Sequence, residues 1–240
     1  NHRPPDVHIQ CSGRERTNIT FATDRVEANF TGSLEDATVD HTGTDDYAVH
    51  FDATGNNQGT EVNGDAPAEP IINVLRNVDA KLTNAASSQI VIGCGMSADT
   101  HMIFDNVSAS RENNYGNNAG LFIHDQGPSV TDPTAVTSKR PQKATIKNFR
   151  TNIPRGVQLS MIAGDGIAEA VIEGGDFPLL YMSTSSNPET RTDTIDTRFW
   201  DVTGRYDGPW QCADASGMDV LKTTAGQTPS GSGAALLFGV

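Results

Sequence analysis

The amino-acid sequence predicts an all-β chain, a right-handed parallel β-helix solenoid of about seven coils, on three observations. A four-residue unit recurs along most of the 240 residues: an apolar residue, any residue, a small polar residue, then usually another apolar one. A second strand-like stretch follows each copy at a similar offset. Between them, 23 Gly, 12 Pro and many Thr, Ser, Asn and Asp punctuate the chain every few positions, the texture of short strands joined by turns.

The clearest copies of the unit are Leu75-Arg76-Asn77-Val78, Phe104-Asp105-Asn106-Val107, Ile146-Lys147-Asn148-Phe149, Ile172-Glu173-Gly174-Gly175 and Phe199-Trp200-Asp201-Val202. Their starts lie 29, 42, 26 and 27 residues apart. Weaker copies at Ile9-Gln10-Cys11 and Val39-Asp40-His41 extend the pattern toward the N-terminus. The second stretches, with period-two alternation, are Val49-His50-Phe51, Ile90-Val91-Ile92, Leu121-Phe122-Ile123, Val157-Gln158-Leu159, Leu180-Tyr181-Met182 and Trp210-Gln211-Cys212. Gly55, Gly93, Gly127, Gly164 and Gly217 close most of them. Two or three short strands in each coil suit a solenoid, because each coil can bury its inward side chains only against its neighbours.

With these units in register, Leu75, Phe104, Ile146, Ile172 and Phe199 are expected to stack inside, one per coil. Arg76, Asp105, Lys147 and Glu173 then point outward, opposite charges facing one another across the ~4.8 Å between neighbouring strands. In its coil pattern, over roughly residues 9 to 222, the chain resembles the right-handed parallel β-helix superfamily of pectate-lyase-like enzymes, viral tailspikes and surface fibres. The resemblance implies a ladder of stacked Asn side chains inside a tight turn. Asn77, Asn106, Asn148 and Asp201 fall where it would sit, with Gly174 interrupting it. Ordinary turns also favour Asn and Asp, but turns alone do not account for the apolar residue held two positions earlier.

The domain expectation is one β-helix over residues 1–222 with a projecting loop at about 125–143, marked by Gly127, Pro128, Pro133 and Pro141. A tail over 223–240 follows, flexible in its Gly/Ser/Pro-rich part and apolar at its end. Contiguous apolar residues in water invite association. Leu236, Leu237, Phe238 and Val240 are therefore expected to make an oligomer contact, with a homo-oligomer, a trimer for preference, or other surface proteins as partners.

The acids outnumber the bases 30 to 17, for a net charge of −13, which argues against nucleic acid as the main partner. No apolar run reaches the ~20 residues of a helical membrane span. The 21 Asp against 9 Glu, and 12 Arg against 5 Lys, are similar to the composition of haloarchaeal proteins and those of their viruses. A short hydrated carboxylate keeps a surface wet at low water activity, whereas the apolar stem of Lys does not. Cys11, Cys94 and Cys212 are too few and too scattered for a disulfide framework or a zinc site and read as buried small hydrophobes.

No catalytic residues, metal site or cofactor are assigned. The polygalacturonase-type pattern is matched only in fragments, Asn77-Val78-Asp79 and Asp45-Asp46, in the wrong order and without Gly-His-Gly. A lyase-like set can be written from Glu173, Asp176, Asp201 and Arg150 or Arg155. The one charge feature above background is the basic patch Lys139, Arg140, Lys143, Lys147, Arg150 and Arg155, six of the 17 bases within 17 positions and with no acid among them. On an acidic chain it is a candidate site for a cell-surface glycan or an acidic neighbour. Sequons stand at Asn18, Asn29 and Asn106. The functional expectation is a non-enzymatic spike, turret or fibre module, extracellular or on a virion. The alternative is a secreted polysaccharide lyase or glycoside hydrolase of the pectate-lyase-like group.

Overall fold

The computed structural model describes residues 7–23, 26–28, 31–44, 47–52, 71–84, 89–96, 100–114, 118–125, 142–160, 168–183, 200–213 and 219–223. The chain is all-β, with no helix among these residues. In chain order the strands are β1 (Val7–Gln10), β2 (Asn18–Phe21), β3 (Val26–Ala28), β4 (Gly32–His41), β5 (Val49–Asp52), β6 (Ile71–Leu82), β7 (Ile90–Met96), β8 (Thr100–Asp105) and β9 (Ser108–Arg111). They continue as β10 (Ala119–Asp125), β11 (Gln142–Thr151), β12 (Arg155–Ser160), β13 (Ala168–Asp176), β14 (Leu180–Ser183), β15 (Asp201–Arg205), β16 (Trp210–Ala213) and β17 (Asp219–Thr223).

Apart from β2, β9 and β17, successive strands alternate between two sheets. The first runs β1-β4-β6-β8-β11-β13-β15, with β2 beside β4 and β9 beside β6 and β11; the second runs β17-β16-β14-β12-β10-β7-β5-β3. Every pairing is parallel except the last, where β17 turns back antiparallel on β16. That hairpin-like partner covers the edge that β16 would otherwise leave open.

The register carries the expected stacking over four strands. Leu75 faces Phe104, Phe104 faces Ile146 and Ile146 faces Ile172, all fully buried. In the second sheet Val49, Ile92, Leu121, Val157, Leu180 and Trp210 form one row and Phe51, Cys94, Ile123, Leu159, Met182 and Cys212 the next. Both sheets contribute to a single apolar core. Cys94 and Cys212 lie in it as free thiols, pushed up in pKa by burial, and Cys11 packs partly buried at its side.

Two stretches sit in a different register from the one the repeat suggests. The early rung partner of Leu75 is Leu34, not Val39, so Leu34-Glu35-Asp36-Ala37 is the unit and Asp40 and His41 lie further along the same strand. At the other end Asp201 stands opposite Glu169, and it is Gly204 that meets Ile172. A Cβ on Gly204 would lie 2.1 Å from the Ile172 carbonyl oxygen, and φ there is 107°, so a bulky inward residue has no room at that rung. The apolar filling shifts to aromatics instead. Phe149 meets Phe177 edge-on at 6.2 Å, and Tyr206 stacks on Phe177 at 4.3 Å while its hydroxyl donates to the Phe177 carbonyl. Phe199 lies outside the described residues, as do 126–141 of the projecting loop and 224–240 of the tail. Gln142 and Lys143, expected in the loop, already belong to β11, and Thr223, expected in the tail, ends β17.

Ile146 is enclosed by Phe104 and Ile172 on either side, so Ile146→Ala is expected to cost about 2–5 kcal/mol. Denaturant unfolding measures it; a change below ~0.5 kcal/mol would contradict the rung stacking.

Candidate functional site

The polar features of the first sheet are organised by one backbone conformation repeated from strand to strand. Asp36, Asn77, Asn106 and Asn148 all have positive φ, between 51° and 60°, and Gly174 follows at 71°. Asn and Asp tolerate this left-handed region better than other side-chain-bearing residues. Each bend divides the run before it from the second run formed by β2, the far halves of β4, β6 and β11, and β9.

Three of the bent residues, Asp36, Asn77 and Asn106, are joined side chain to side chain. Asn77 Nδ2 donates to Asp36 Oδ1 at 2.9 Å, and Asn106 Nδ2 donates to Asn77 Oδ1 at 2.7 Å. Gln10 donates to Asp36 Oδ2, and Arg150 donates to Asn106 Oδ1. Of the ladder expected from the Asn positions, Asn77 and Asn106 are bonded, with Asp36 as an early member; Asn148 shares the bend without a side-chain bond to its neighbours in the row, and Gly174 has no side chain to offer. Asp201, expected in the ladder, is a rung partner of Glu169. Asn106, which donates to Asn77 and accepts from Arg150, is ill suited to carry a glycan; Asn18 is exposed at the start of β2, and Asn29 is outside the described residues.

An outward row, one residue before each of the five bends and continued by Arg205, alternates in sign: Glu35, Arg76, Asp105, Lys147, Glu173 and Arg205 face one another in register. Arg76 reaches Glu35 at 3.1 Å and Asp105 at 3.4 Å, and Lys147 reaches Glu173 at 2.9 Å. The Glu173 carboxylate, by hydrogen bond and charge, raises the Lys147 pKa and keeps it cationic. Exposed pairs of this kind are weak, enough to select a register rather than to hold a core together.

Beside the ladder lies a polar cluster that no motif announces. Arg14, in the turn between β1 and β2, pairs with Asp79 at 3.0 Å and donates to the Asn106 carbonyl. Ser108 donates to the same Asp79 oxygen at 2.6 Å. Arg150 is the next rung partner of Ser108, and Asp176 that of Arg150. Two guanidiniums thus converge on Asn106, and Arg150, exposed, offers the cluster's outward cation.

Of the basic patch, Lys139 and Arg140 lie outside the described residues. The other four are distributed over both sheets. Lys143 pairs with Glu169 at 3.5 Å, Lys147 with Glu173, and Arg150 joins the cluster. Arg155 opens β12 in the second sheet, with its guanidinium 3.9 Å from the Tyr181 ring centre, a cation–π contact. Of the lyase-like set, Arg150 and Asp176 are rung partners, but the register puts Arg205, not Asp201, next to Glu173, and Arg155 stands in the second sheet. Leu236, Leu237, Phe238 and Val240 are outside the described residues. Among the described residues no three His, Cys, Asp or Glu gather as a metal site, and no helix is long and apolar enough to cross a membrane.

Comparison of the chain with family models, with curated proteins and with solved structures found no match.

His101 has a displaced pKa. It lies between Ile72 and Lys143 in register, and its Nε2 is 2.9 Å from Thr145 Oγ1. Burial, reinforced by the Lys143 charge, lowers its pKa below the ordinary value, so the fold prefers the neutral ring. The unfolded chain then takes up the proton first as pH falls below about 6.5, and the contribution is complete above that pH and lost beneath it. The thermal midpoint is expected to fall further between pH 7.5 and 5.5 in the wild type than in His101→Gln; equal falls would contradict this.

Proposed function

We propose that the two parallel sheets are walls of a right-handed parallel β-helix of seven coils. Seven strands follow one another in the first sheet with chain crossovers through the second, and parallel crossovers are right-handed in nearly all proteins. On this architecture we read a non-enzymatic spike, turret or fibre module of a virion or cell surface, extracellular and from a salt-adapted source. It works by presenting a long wall to a surface glycan or a neighbouring protein.

The observation that carries the reading is how the acids and bases of the first sheet are engaged. Glu173 and Lys147 hold each other, Asp105 holds Arg76, and Asp79 accepts from Arg14 and Ser108. General acid–base chemistry needs a carboxylate or base aimed at a substrate with a pKa tuned to exchange protons. These groups instead tie one strand to the next. What they leave on the outside is a polar face on which Arg150 is exposed, suited to a weak, charge-assisted contact with an acidic sugar.

The purified chain is expected to be retained by the surface polysaccharide of its source, releasing neither reducing ends nor unsaturated products. Arg150→Ala should weaken retention roughly tenfold, the scale of one charge-assisted hydrogen bond. Products formed above the no-protein control would overturn the reading in favour of a secreted lyase or hydrolase.

A further inference from the structure

The outward face of the first sheet carries a second regularity next to the alternating charges. Two positions earlier on each strand runs the row Ser33, Val74, Ile103, Thr145, Val171 and Thr203, small or β-branched throughout. These side chains are partly exposed or exposed, as are the charged ones beside them, with Arg76, Lys147 and Glu173 showing 45%, 41% and 52% of their side-chain surface.

Six charges of strictly alternating sign make a row that is complementary to itself when reversed. We propose that this face is an interface between two copies of the chain, related by a twofold axis parallel to the strands and lying between the Asp105 and Lys147 rungs. Such an axis sets Glu35 against Arg205 of the second copy, Arg76 against its Glu173 and Asp105 against its Lys147, and each pairing occurs twice. The neighbouring row matches under the same operation: Val74 meets Val171, Ile103 meets Thr145 and Ser33 meets Thr203. An isologous contact requires this reciprocity.

The opposite arrangement, with the two strand stacks running the same way, is disfavoured by the same residues. It either sets every charge against its own copy or brings Lys147 against Lys143 and Glu173 against Glu169, like against like. A third row limits the contact. Ile72 and His101 would meet Glu169 and Lys143, so the copies close on the charged and β-branched rows and splay beyond them.

Six or seven rungs at ~4.8 Å by two or three residues at ~3.3 Å give a footprint of roughly 200–330 Å² per copy. That is short of the ~800 Å² of a standard stable interface. The pair is therefore weak, salt-sensitive and populated where copies are concentrated, as on a surface array. It is a twofold contact through the sheet face, separate from the trimer expected through the apolar tail, and it does not depend on the glycan reading.

Sedimentation equilibrium of the full chain at roughly 0.1–1 mM and ~0.15 M salt tests it. The wild type is expected to show a reversible dimer, and Asp105→Lys alone and Lys147→Asp alone to remain monomeric. An equimolar mixture of the two variants is expected to recover the wild-type mass, because each mismatch in one variant is answered by the other. If either variant fails to fold by circular dichroism, Arg76→Glu mixed with Glu173→Arg gives the same logic. A wild type that is monomeric throughout overturns the proposal, as does a trimer whose mass is the same in the wild type and both variants. So do variants that dimerise like the wild type, or a mixture that stays monomeric, since damage within one chain is not repaired by mixing.

Discussion

The constraint on which the rest of this structure depends is one left-handed residue on each of five successive rungs of the first sheet. Asp36, Asn77, Asn106, Asn148 and Gly174 share it, and the strand pairings keep them aligned although the chain between them varies widely in length. A parallel pair can slip, and a slip of one residue turns every inward side chain outward. A bend that only Asn, Asp or Gly accepts readily, at one position per strand, blocks that slip. The side-chain bonds from Asn106 to Asn77 to Asp36 then join neighbouring rungs directly.

Once the bends are aligned, the two faces follow. Inside, each large apolar residue sits on its equivalent, and this burial supplies the main stabilisation, at about 25 cal/mol for each Å² removed from water. Outside, the residue just before the bend repeats at strand spacing, so any charge there feels its neighbours on both sides. Alternation of sign from Glu35 to Arg205 turns that proximity from repulsion into mutual support. On a chain of net charge −13 this row is locally neutral, a dry-contact candidate on an otherwise repelling surface. The same regularity that holds the fold in register thus shapes what the fold can meet.

Much of this was legible in the residues themselves, for identifiable reasons. Leu75, Phe104, Ile146 and Ile172, with Arg76, Asp105, Lys147 and Glu173 beside them, could be aligned because Asn or Gly follows at a constant offset. The row's ends were not legible. Asp36 was hidden because Val39-Asp40-His41, further along the same strand, imitates the unit. The late rung was hidden because Gly204 replaces the apolar residue and Tyr206 follows Arg205 where a small polar residue was expected. The cluster of Arg14, Asp79, Ser108 and Arg150 had no local signature at all, since Arg14 and Asp79 are 65 residues apart and meet only through the register. The dispersal of the basic patch has a similar cause: closeness in sequence between Arg150 and Arg155 spans a change of sheet.

Cysteine cross-linking across one rung tests the register most directly. A disulfide forms where Cα atoms lie about 4.4–6.8 Å apart, a range that adjacent in-register residues meet and residues displaced by four positions do not. In a Cys11→Ser background, with Cys94 and Cys212 left buried in the core, the pair Lys147→Cys and Glu173→Cys is expected to oxidise within one chain. The pair Lys147→Cys and Glu169→Cys is expected to remain reduced. Cross-linking of the second pair in preference to the first would contradict the aligned left-handed bends and, with them, the rungs built on them.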